Sequence, residues 1–245
     1  MKALIVSDVH SNLEAFSSVI EDARDRAGFD EIWSLGDLVG YGPDPAAVID
    51  LIREHDHRAV AGNHDLASIG KLSLEAFNEH AAAANTWTAQ VLDQDRIQFL
   101  GEQPLSLEID EFTIVHGSPR DPIWEYVVSE RAAVACFNHF DTYWCLVGHS
   151  HVPFICRMSE DTRGARFFSP VYGTPYPLED QRLIVNPGGL GQPRDGDPRA
   201  PYAIYDSDDE TVTHFRVEYD ISATQQKMRL HGLPQFLIDR LAVGH

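Results

Sequence analysis

The strongest constraint on this 245-residue chain is a set of five short segments rich in metal-ligand side chains. The segments are Asp8-Val9-His10, Gly36-Asp37-Leu38-Val39-Gly40, Gly62-Asn63-His64-Asp65, His116-Gly117 and Gly148-His149-Ser150-His151. Each follows an apolar, β-branched stretch, so each is expected where a β-strand ends. Parallel strands of one sheet present their carboxyl ends at a common edge, where open α/β sheets place ligands. We therefore expect the segments to meet, and their mixture of imidazole, carboxylate and amide groups suits two divalent cations better than one.

The order of the predicted elements indicates an α/β fold. Strands and helices alternate through the first half, whereas strands dominate after Val152. This pattern predicts two β-sheets packed face to face, with helices on the outside. We expect a single domain over residues 1–245, because the ligand segments span most of the chain. The alternative is two domains divided near Pro153.

Several elements follow from local signals. A helix is predicted from about Leu13 to Ala27, with Ser11 and Glu14 at capping-box spacing. Another helix is predicted from Leu72 to Leu92, with an interruption near Asn85-Thr86. Further expected elements are helices over Pro45–Glu54 and near Ser129–Asn138, a hairpin around Asp110-Glu111, and two short helices near Ser222–Leu230 and Pro234–Ala242.

Composition argues against several classes of function. The formal net charge is −19, so the surface repels nucleic-acid phosphates, and we expect no nucleic-acid partner. No apolar run approaches the ~20 residues needed to span a bilayer, and the first residues lack the features of a signal peptide. The three cysteines form no CxxC pair, which indicates reduced thiols and a cytoplasmic location.

The first two ligand segments each have an ordinary structural alternative. Asp8 and His10 place a carboxylate and an imidazole where both can bind one ion, although Asp8 taken alone is more often a helix-capping residue. Asp37 lies between Gly36 and Gly40, which permit a tight turn and a close backbone approach to a ligand. One carboxylate can bridge two cations through its two oxygens, and a turn aspartate is the alternative.

The later segments are more informative. Asn63 offers a neutral carbonyl oxygen to a metal. His64 is expected to point toward the substrate, with Asp65 holding its imidazole by a hydrogen bond and favouring the protonated form; an N-cap is the alternative for Asp65. His149 and His151 form a pair after a strand and a glycine, an arrangement that packing seldom explains.

A histidine segment taken alone is weak evidence for a metal site. His116 alone is more often an ordinary strand-end histidine. His55-Asp56-His57 also has His-x-His spacing, but no strand end or glycine supports a ligand role there, so we leave this pair out. The ligand interpretation therefore depends on the five segments together.

In type and order, the five segments resemble the motifs of the calcineurin-like metallophosphoesterase superfamily. The resemblance covers roughly residues 1–206 and implies a four-layer α/β/β/α sandwich of two mixed β-sheets flanked by helices. It implies a first metal held by Asp8, His10, Asp37 and His151. It implies a second metal held by Asp37, Asn63, His116 and His149. It also implies that His64 is the catalytic histidine, assisted by Asp65.

Two segments, Tyr41-Gly42-Pro43-Asp44-Pro45 and a loop over Asn186–Ala200, carry a closer similarity to small bacterial and archaeal phosphoesterases. In the loop, Gly189-Leu190 stands where that branch usually has Ser-Val. Within the Asn186–Ala200 loop, Arg194 is a candidate to bind a non-bridging phosphate oxygen with its planar fork. The alternative is an ion pair between Arg194 and Asp195 or Asp197.

Three further loops are expected to set specificity. They are Leu66–Asn78, Pro119–Tyr126 and Ser159–Gln181. The last carries several aromatic residues among prolines and glycines, and two interpretations stay open: a lid over the site, or an irregular hairpin whose aromatics pack on the core.

The resulting hypothesis is a dinuclear phosphoesterase that hydrolyses a phosphomonoester or phosphodiester by means of a metal-bridging hydroxide. The N/O ligand set fits two divalent ions among Mn, Fe, Zn, Ni and Co without choosing between them. The expected partner is a small phosphorylated substrate, with a homo-oligomer possible. Two alternatives are a protein-interaction scaffold of this fold without turnover and a nuclease.

Overall fold

The computed structural model describes residues 1–159, 164–179 and 181–245. Its strands are β1 (Lys2–Val6), β2 (Glu31–Ser34), β3 (His57–Ala59), β4 (Ser106–Ile109), β5 (Phe112–Val115), β6 (Trp144–Leu146), β7 (Phe154–Met158), β8 (Ala165–Phe168), β9 (Tyr176–Pro177), β10 (Leu183–Asn186), β11 (Ala200–Asp206) and β12 (Thr211–Val217). Its α-helices are α1 (Leu13–Arg26), α2 (Pro45–Arg53), α3 (Asn63–Ser68), α4 (Glu79–Val91), α5 (Gln94–Glu102), α6 (Glu130–Phe137), α7 (Ile221–Leu230) and α8 (Gln235–Arg240). A 3₁₀ turn covers Leu74–Ala76.

The strands form two mixed sheets of six strands each, which confirms the predicted fold class. The first has the order β3-β2-β1-β11-β12-β9 and the second β4-β5-β6-β10-β7-β8. β1, β2 and β3 pair in parallel, as do β5, β6 and β10, whereas β11 and β7 run antiparallel to their neighbours β1 and β10.

A buried aromatic core lies between the two sheets. Trp33 of the first sheet packs against Phe112 of the second, with ring centroids 5.1 Å apart. Tyr205 also stacks on Trp33. Separate apolar clusters join the first sheet to α1 and α2 and the second sheet to α6. The layers therefore run helix, sheet, sheet, helix, because each sheet has apolar residues on both faces.

The expectation that a single sheet delivers all five ligand segments is wrong. Three segments follow β1, β2 and β3 of the first sheet, and two follow β5 and β6 of the second. The two groups still meet, because the two sheets turn these carboxyl ends to the same end of the sandwich. The backbone N–H of His149 donates to Asp8 Oδ2 at 3.1 Å across the two sheets.

Two helix predictions need correction. Asn12, not Ser11, caps α1, and its Oδ1 accepts from the Ala15 N–H at 3.2 Å. Ser11 is at φ +56 instead, and its N–H is held by the Leu38 carbonyl. α4 starts later than predicted and is not interrupted at Asn85, which is buried. The hairpin and both terminal helices are confirmed.

The segment from Ser159 to Gln181 belongs to sheet edges where the structure describes it; residues 160–163 and 180 lie outside the described residues. β8 pairs with β7, and β9 pairs with β12. Phe167 contacts Phe154 with ring centroids 5.0 Å apart, and Tyr176 packs on the core between the sheets. The described part therefore fits the packed hairpin and not the lid.

The described helices include none that is both long and apolar enough to cross a membrane. The three cysteines, Cys136, Cys145 and Cys156, are free and buried.

Candidate metal centre

The ligand segments adopt a backbone conformation that non-glycine residues rarely take. Asp8, His10, Asp37, His149 and His151 all have φ between +49 and +61. Such conformations cost about 1–3 kcal/mol each and persist only where the surroundings enforce them. Hydrogen bonds between strand ends do so, for example from the Asp8 N–H to the Gly36 carbonyl at 3.0 Å. These turns collect the five side chains at one buried point.

Asp8, His10 and His151 form a first cluster of ligand atoms. The Nδ1 atoms of His10 and His151 donate to the carbonyls of Val39 and Gln192 at 3.1 and 2.7 Å. Because a carbonyl only accepts, both rings present an unprotonated Nε2 to the centre. These two Nε2 atoms are 3.3 Å apart, and that of His151 lies 3.1 Å from Asp8 Oδ1.

A second cluster forms around His116. Its Nδ1 donates to the Leu35 carbonyl at 2.9 Å, which fixes the ring orientation. Its Nε2 faces Asn63 Oδ1 at 3.0 Å, His149 Nδ1 at 3.1 Å and Asp37 Oδ2 at 3.3 Å. These residues supply two imidazoles, one carboxylate and one amide oxygen.

Asp37 lies between the two clusters, but it faces them with one oxygen. Its Oδ1 accepts the backbone N–H of His64 at 2.8 Å. Its Oδ2 lies 3.3 Å from His116 Nε2 and 3.8 Å from His10 Nε2. Oδ2 is therefore the oxygen that faces both clusters, while Oδ1 is held by the start of α3, and a bridge between two cations stays a prediction.

The geometry fits divalent cations. In each group of potential ligands the ligand atoms lie within 4.8 Å of one another, and the buried Asp8 Oδ1 has no hydrogen-bond partner among the described residues. Burial opposes charge on Asp37, yet the neighbouring His116 and His64 hold its pKa well below the usual range. Burial likewise opposes charge on His116, but Asp37 raises the pKa of that imidazole to about 9. A cation satisfies such a set of lone pairs better than added protons do.

The predicted hydrogen bond between Asp65 and the His64 imidazole is wrong. His64 Nδ1 bonds Asn85 Oδ1 at 3.1 Å. The Asp65 carboxylate instead accepts the backbone N–H groups of Asp37, Val39 and Gly62 at 2.8, 3.1 and 3.0 Å. Asp65 thus binds the turn after β2 to the start of α3, and it positions His64 only through the backbone.

The expectation that the His64 imidazole is protonated does not hold for the free protein either. Burial lowers the pKa of His64 to about 4, so the imidazole is neutral near pH 7 in the free protein. With Nδ1 donating to Asn85, its Nε2 carries the lone pair. Sequence reasoning missed Asn85 because it lies 21 residues away on α4.

Two glycines permit the close approach of these segments. A Cβ on Gly62 would lie 2.1 Å from Asp37 Oδ1. A Cβ on Gly40, which has φ +86, would lie 2.6 Å from His64 Nδ1. The chain therefore requires glycine at both positions for the metal-ligand turn and the imidazole to coexist.

A cavity of about 90 Å³ opens above the two clusters. Asp37, Asn63, His64, His149 and His151 contribute to its floor and walls. Aromatic side chains that sequence reasoning did not assign to the site also line it; they are Tyr41, Phe77, Trp124 and Tyr126. Three of them lie in loops predicted to set specificity.

Arg194 lines the same cavity. Neither aspartate proposed as its alternative partner pairs with it: Asp195 pairs with Arg216, and Asp197 pairs with Arg199. His55 and His57 lie away from the centre, beside Phe29 and Phe99, as their exclusion predicted.

Comparison with known proteins identifies the family. The Calcineurin-like phosphoesterase superfamily domain matches residues 1–210. The chain is similar to the crystal structure of a metallophosphoesterase from Sphaerobacter thermophilus, with 47% identity, a TM-score of 0.91, and 100% of this chain and 99% of that one covered. An uncharacterized protein of Methanocaldococcus jannaschii is 38% identical over 98% of this chain and 97% of its own length.

A more distant relative is the symmetrical bis(5'-nucleosyl)-tetraphosphatase of Vibrio cholerae, 29% identical over 139 residues. The match covers 54% of this chain and only 50% of that protein. The chain belongs to the calcineurin-like phosphoesterase superfamily and is a hydrolase that acts on phosphoester bonds.

Proposed function

We propose that the protein hydrolyses a small phosphate ester with the help of two divalent ions. Asp8, His10, Asp37 and His151 would hold one ion, and Asp37, Asn63, His116 and His149 the other. The observation that carries this proposal is the position of Asp37 Oδ2, which faces His10 on one side and His116 on the other. Ions held there would activate water and withdraw charge from phosphate oxygens.

His64 is the proposed proton donor to the leaving group. Its ring lines the cavity beside the proposed phosphate position, and its Nε2 is the free nitrogen. The free imidazole is neutral, but a phosphate dianion next to it favours the charged form, since a nearby opposite charge raises the pKa of a histidine. The proton is then transferred to the departing alkoxide.

Arg194 is the proposed substrate-binding residue. It reaches the cavity without a carboxylate partner in the described part of the chain, and its Nη2 donates to Gln192 Oε1 at 3.1 Å. The remaining guanidinium N–H groups would bind phosphate oxygens. The tetraphosphatase relatives act on small nucleotides, which supports a phosphorylated small molecule as the substrate. Metal identity, oligomeric state and cytoplasmic location stay predictions, as does one domain over residues 1–245.

The two alternative functions are less well supported. A scaffold without turnover has no need of a complete ligand set, and all seven proposed ligand residues and His64 are buried together here. A nuclease needs a surface that attracts phosphate backbones, whereas this chain carries a net charge of −19.

The substitution Asp37→Asn tests the proposal. The variant keeps the side-chain shape but loses the charge shared by the two clusters, so we expect it to bind fewer divalent ions and to lose most hydrolysis of p-nitrophenyl phosphate and bis-p-nitrophenyl phosphate. Elemental analysis gives the metal content of both proteins. Full turnover by a variant that still binds two ions would refute the shared role of Asp37, and no turnover of either ester by metal-loaded wild type would favour the scaffold.

A further inference from the structure

We propose that Phe77, Trp124 and Tyr126 form an aromatic wall that binds the organic group of the substrate beside the metal centre. The substrate class is then a phosphate ester whose leaving group carries a planar aromatic ring. This inference rests on the proposed function, because it names the substrate class of the same site.

The three rings of the aromatic wall follow one side of the cavity, from the proposed proton donor to a proposed metal ligand. Phe77 contacts His64 in a T-shaped arrangement with ring centroids 5.0 Å apart, and Trp124 contacts Phe77 at 5.2 Å. The Trp124 ring lies 6.4 Å from that of His149, and Tyr126 stacks on His149 at 4.0 Å. A leaving group that takes its proton from His64 therefore lies next to the aromatic wall.

Core packing does not account for Trp124 and Tyr126. Neither ring belongs to the apolar clusters that the described residues form. Tyr126 is 46% exposed, although its ring stacks on His149. Ligand sites typically combine such aromatic surface with a few polar groups that fix the orientation of the ligand. The substrate supplies the contact that the protein leaves open.

The loop that carries Trp124 and Tyr126 is held in place by its own hydrogen bonds. Glu125, which lies between the two aromatic residues in the sequence, accepts from the Ser118 hydroxyl and from Arg120 Nε, the latter at 3.1 Å. Glu125 and Arg120 also form an ion pair. Because the rings are ordered before a ligand binds, less conformational entropy is lost on binding.

The charges around the cavity favour an aromatic group over a second phosphate group. Arg194 is the only lysine or arginine among the described residues that line the cavity, and it is the proposed partner of the attacked phosphate. Ala76 and Ala81 line the cavity together with Phe77, so this part of the lining is apolar. A second phosphate group would lose its hydration there without a cation in return, whereas removal of an apolar ring from water is favourable.

Binding of three non-hydrolysable phosphonates tests the aromatic wall. In benzylphosphonate, a CH₂ group replaces the bridging oxygen of phenyl phosphate; cyclohexylmethylphosphonate has a saturated ring, and methylphosphonate has none. The protein is loaded with Mn²⁺ and titrated calorimetrically in excess Mn²⁺. We expect benzylphosphonate to bind about tenfold more tightly than methylphosphonate and about threefold more tightly than cyclohexylmethylphosphonate, because aromatic pairs attract beyond the apolar area that they bury.

The substitution Trp124→Leu keeps an apolar side chain but removes the ring. We expect it to abolish the preference for benzylphosphonate over cyclohexylmethylphosphonate and to change the affinity for methylphosphonate by less than about twofold. Trp124→Phe keeps a smaller ring and should retain part of the preference.

Trp87→Leu is the matched control. Trp87 is also partly buried, but it packs against His231 on α4 with ring centroids 4.9 Å apart and is not among the described residues that line the cavity. All three affinities should therefore equal those of wild type.

Equal affinities of wild type for the benzyl and cyclohexylmethyl compounds would overturn the aromatic wall, as would a benzyl preference that Trp124→Leu leaves intact. Either result with intact hydrolysis of p-nitrophenyl phosphate would refute the aromatic wall alone. Absence of all ester hydrolysis by the metal-loaded wild type would instead refute the proposed function.

Discussion

At the scale of single residues, a ligand role depends on which atoms the backbone leaves free. In His10, His116 and His151, Nδ1 bonds a backbone carbonyl, so Nε2 is the nitrogen that faces the metal centre. Such outer hydrogen bonds fix the tautomer and raise the basicity of a ligating imidazole. Sequence spacing identified these histidines, but it gave no information about which nitrogen faces the centre.

Replacement of His64 should affect the leaving group and not the metals. We expect His64→Ala to retain the metal content of wild type and to lose about 10²–10⁴ in rate on alkyl phosphates, whose alkoxide needs a proton. The loss should be much smaller for p-nitrophenyl phosphate, since p-nitrophenolate departs without one. Equal losses on the two classes of ester would contradict a proton-donor role.

Replacement of Asp65 should lower stability more than a surface change does. In Asp65→Ala, three buried backbone N–H groups lose their acceptor, and each such loss costs about 1–3 kcal/mol. We therefore expect a decrease of at least about 3 kcal/mol in the free energy of unfolding, measured by urea denaturation. An unchanged stability with lost activity would support the original interpretation, in which Asp65 holds the imidazole.

At the scale of elements, the sequence predicted where the strands end but not how their ends touch. The segments after β1 and β2 were recognisable from apolar stretches followed by ligand residues. The contact of Gly62 with Asp37 was not, because it joins turns that are far apart in the chain. Asn85 was missed for the same reason, since a buried asparagine on an Ala-rich helix has no local signature.

A methyl group at Gly62 should therefore disrupt the metal centre. Gly62→Ala places a carbon 2.1 Å from Asp37 Oδ1, well inside contact distance, so Asp37 must move. Metal affinity should then fall by at least about tenfold, roughly the cost of a lost charged contact. Gly101→Ala is the control, because Gly101 also lacks a positive φ and its Cβ would come closest to the flexible end of Lys71, at 3.2 Å. Comparable loss of metal affinity in both variants would show that contact with Asp37 is not responsible.

The contact between β12 and β10 should make stability depend on pH. Burial lowers the pKa of His214 to about 4, while its Nε2 donates to the Asn186 carbonyl at 2.9 Å. Below about pH 6.5, the usual pKa of histidine, His214 is protonated in the unfolded chain but stays neutral in the folded chain. The free energy of unfolding therefore falls as the pH falls from about 6.5 to about 4. This group accounts for about 3 kcal/mol over that range.

The matched variant is His214→Gln, which keeps an N–H donor but does not titrate. Urea denaturation at several pH values should give a smaller loss of stability on acidification for this variant than for wild type. Parallel curves for the two proteins would contradict the assignment to His214.

At the scale of the whole molecule, the sequence predicted the two-sheet architecture because strand and helix periodicities change clearly along the chain. It did not predict that the ligand segments are divided between the sheets, since pairing partners such as β6 and β10 are far apart in sequence. The resemblance to a family implied the same layer order as the element pattern, and the structure confirms it.

The charge of the molecule leads to a prediction about nucleic acid. With a net charge of −19, association with DNA should be weak or absent even at low salt, where electrostatic attraction is strongest. A fluorescence anisotropy titration with duplex and single-stranded oligonucleotides measures this. Tight, salt-sensitive binding would revive the nuclease alternative.

The most direct test of two ions sharing Asp37 is a titration of metal-free protein with Mn²⁺, followed by hydrolysis of p-nitrophenyl phosphate. The two ligand clusters predict that activity rises until two equivalents of Mn²⁺ are bound per chain. Activity that reaches its maximum at one equivalent would contradict the dinuclear centre.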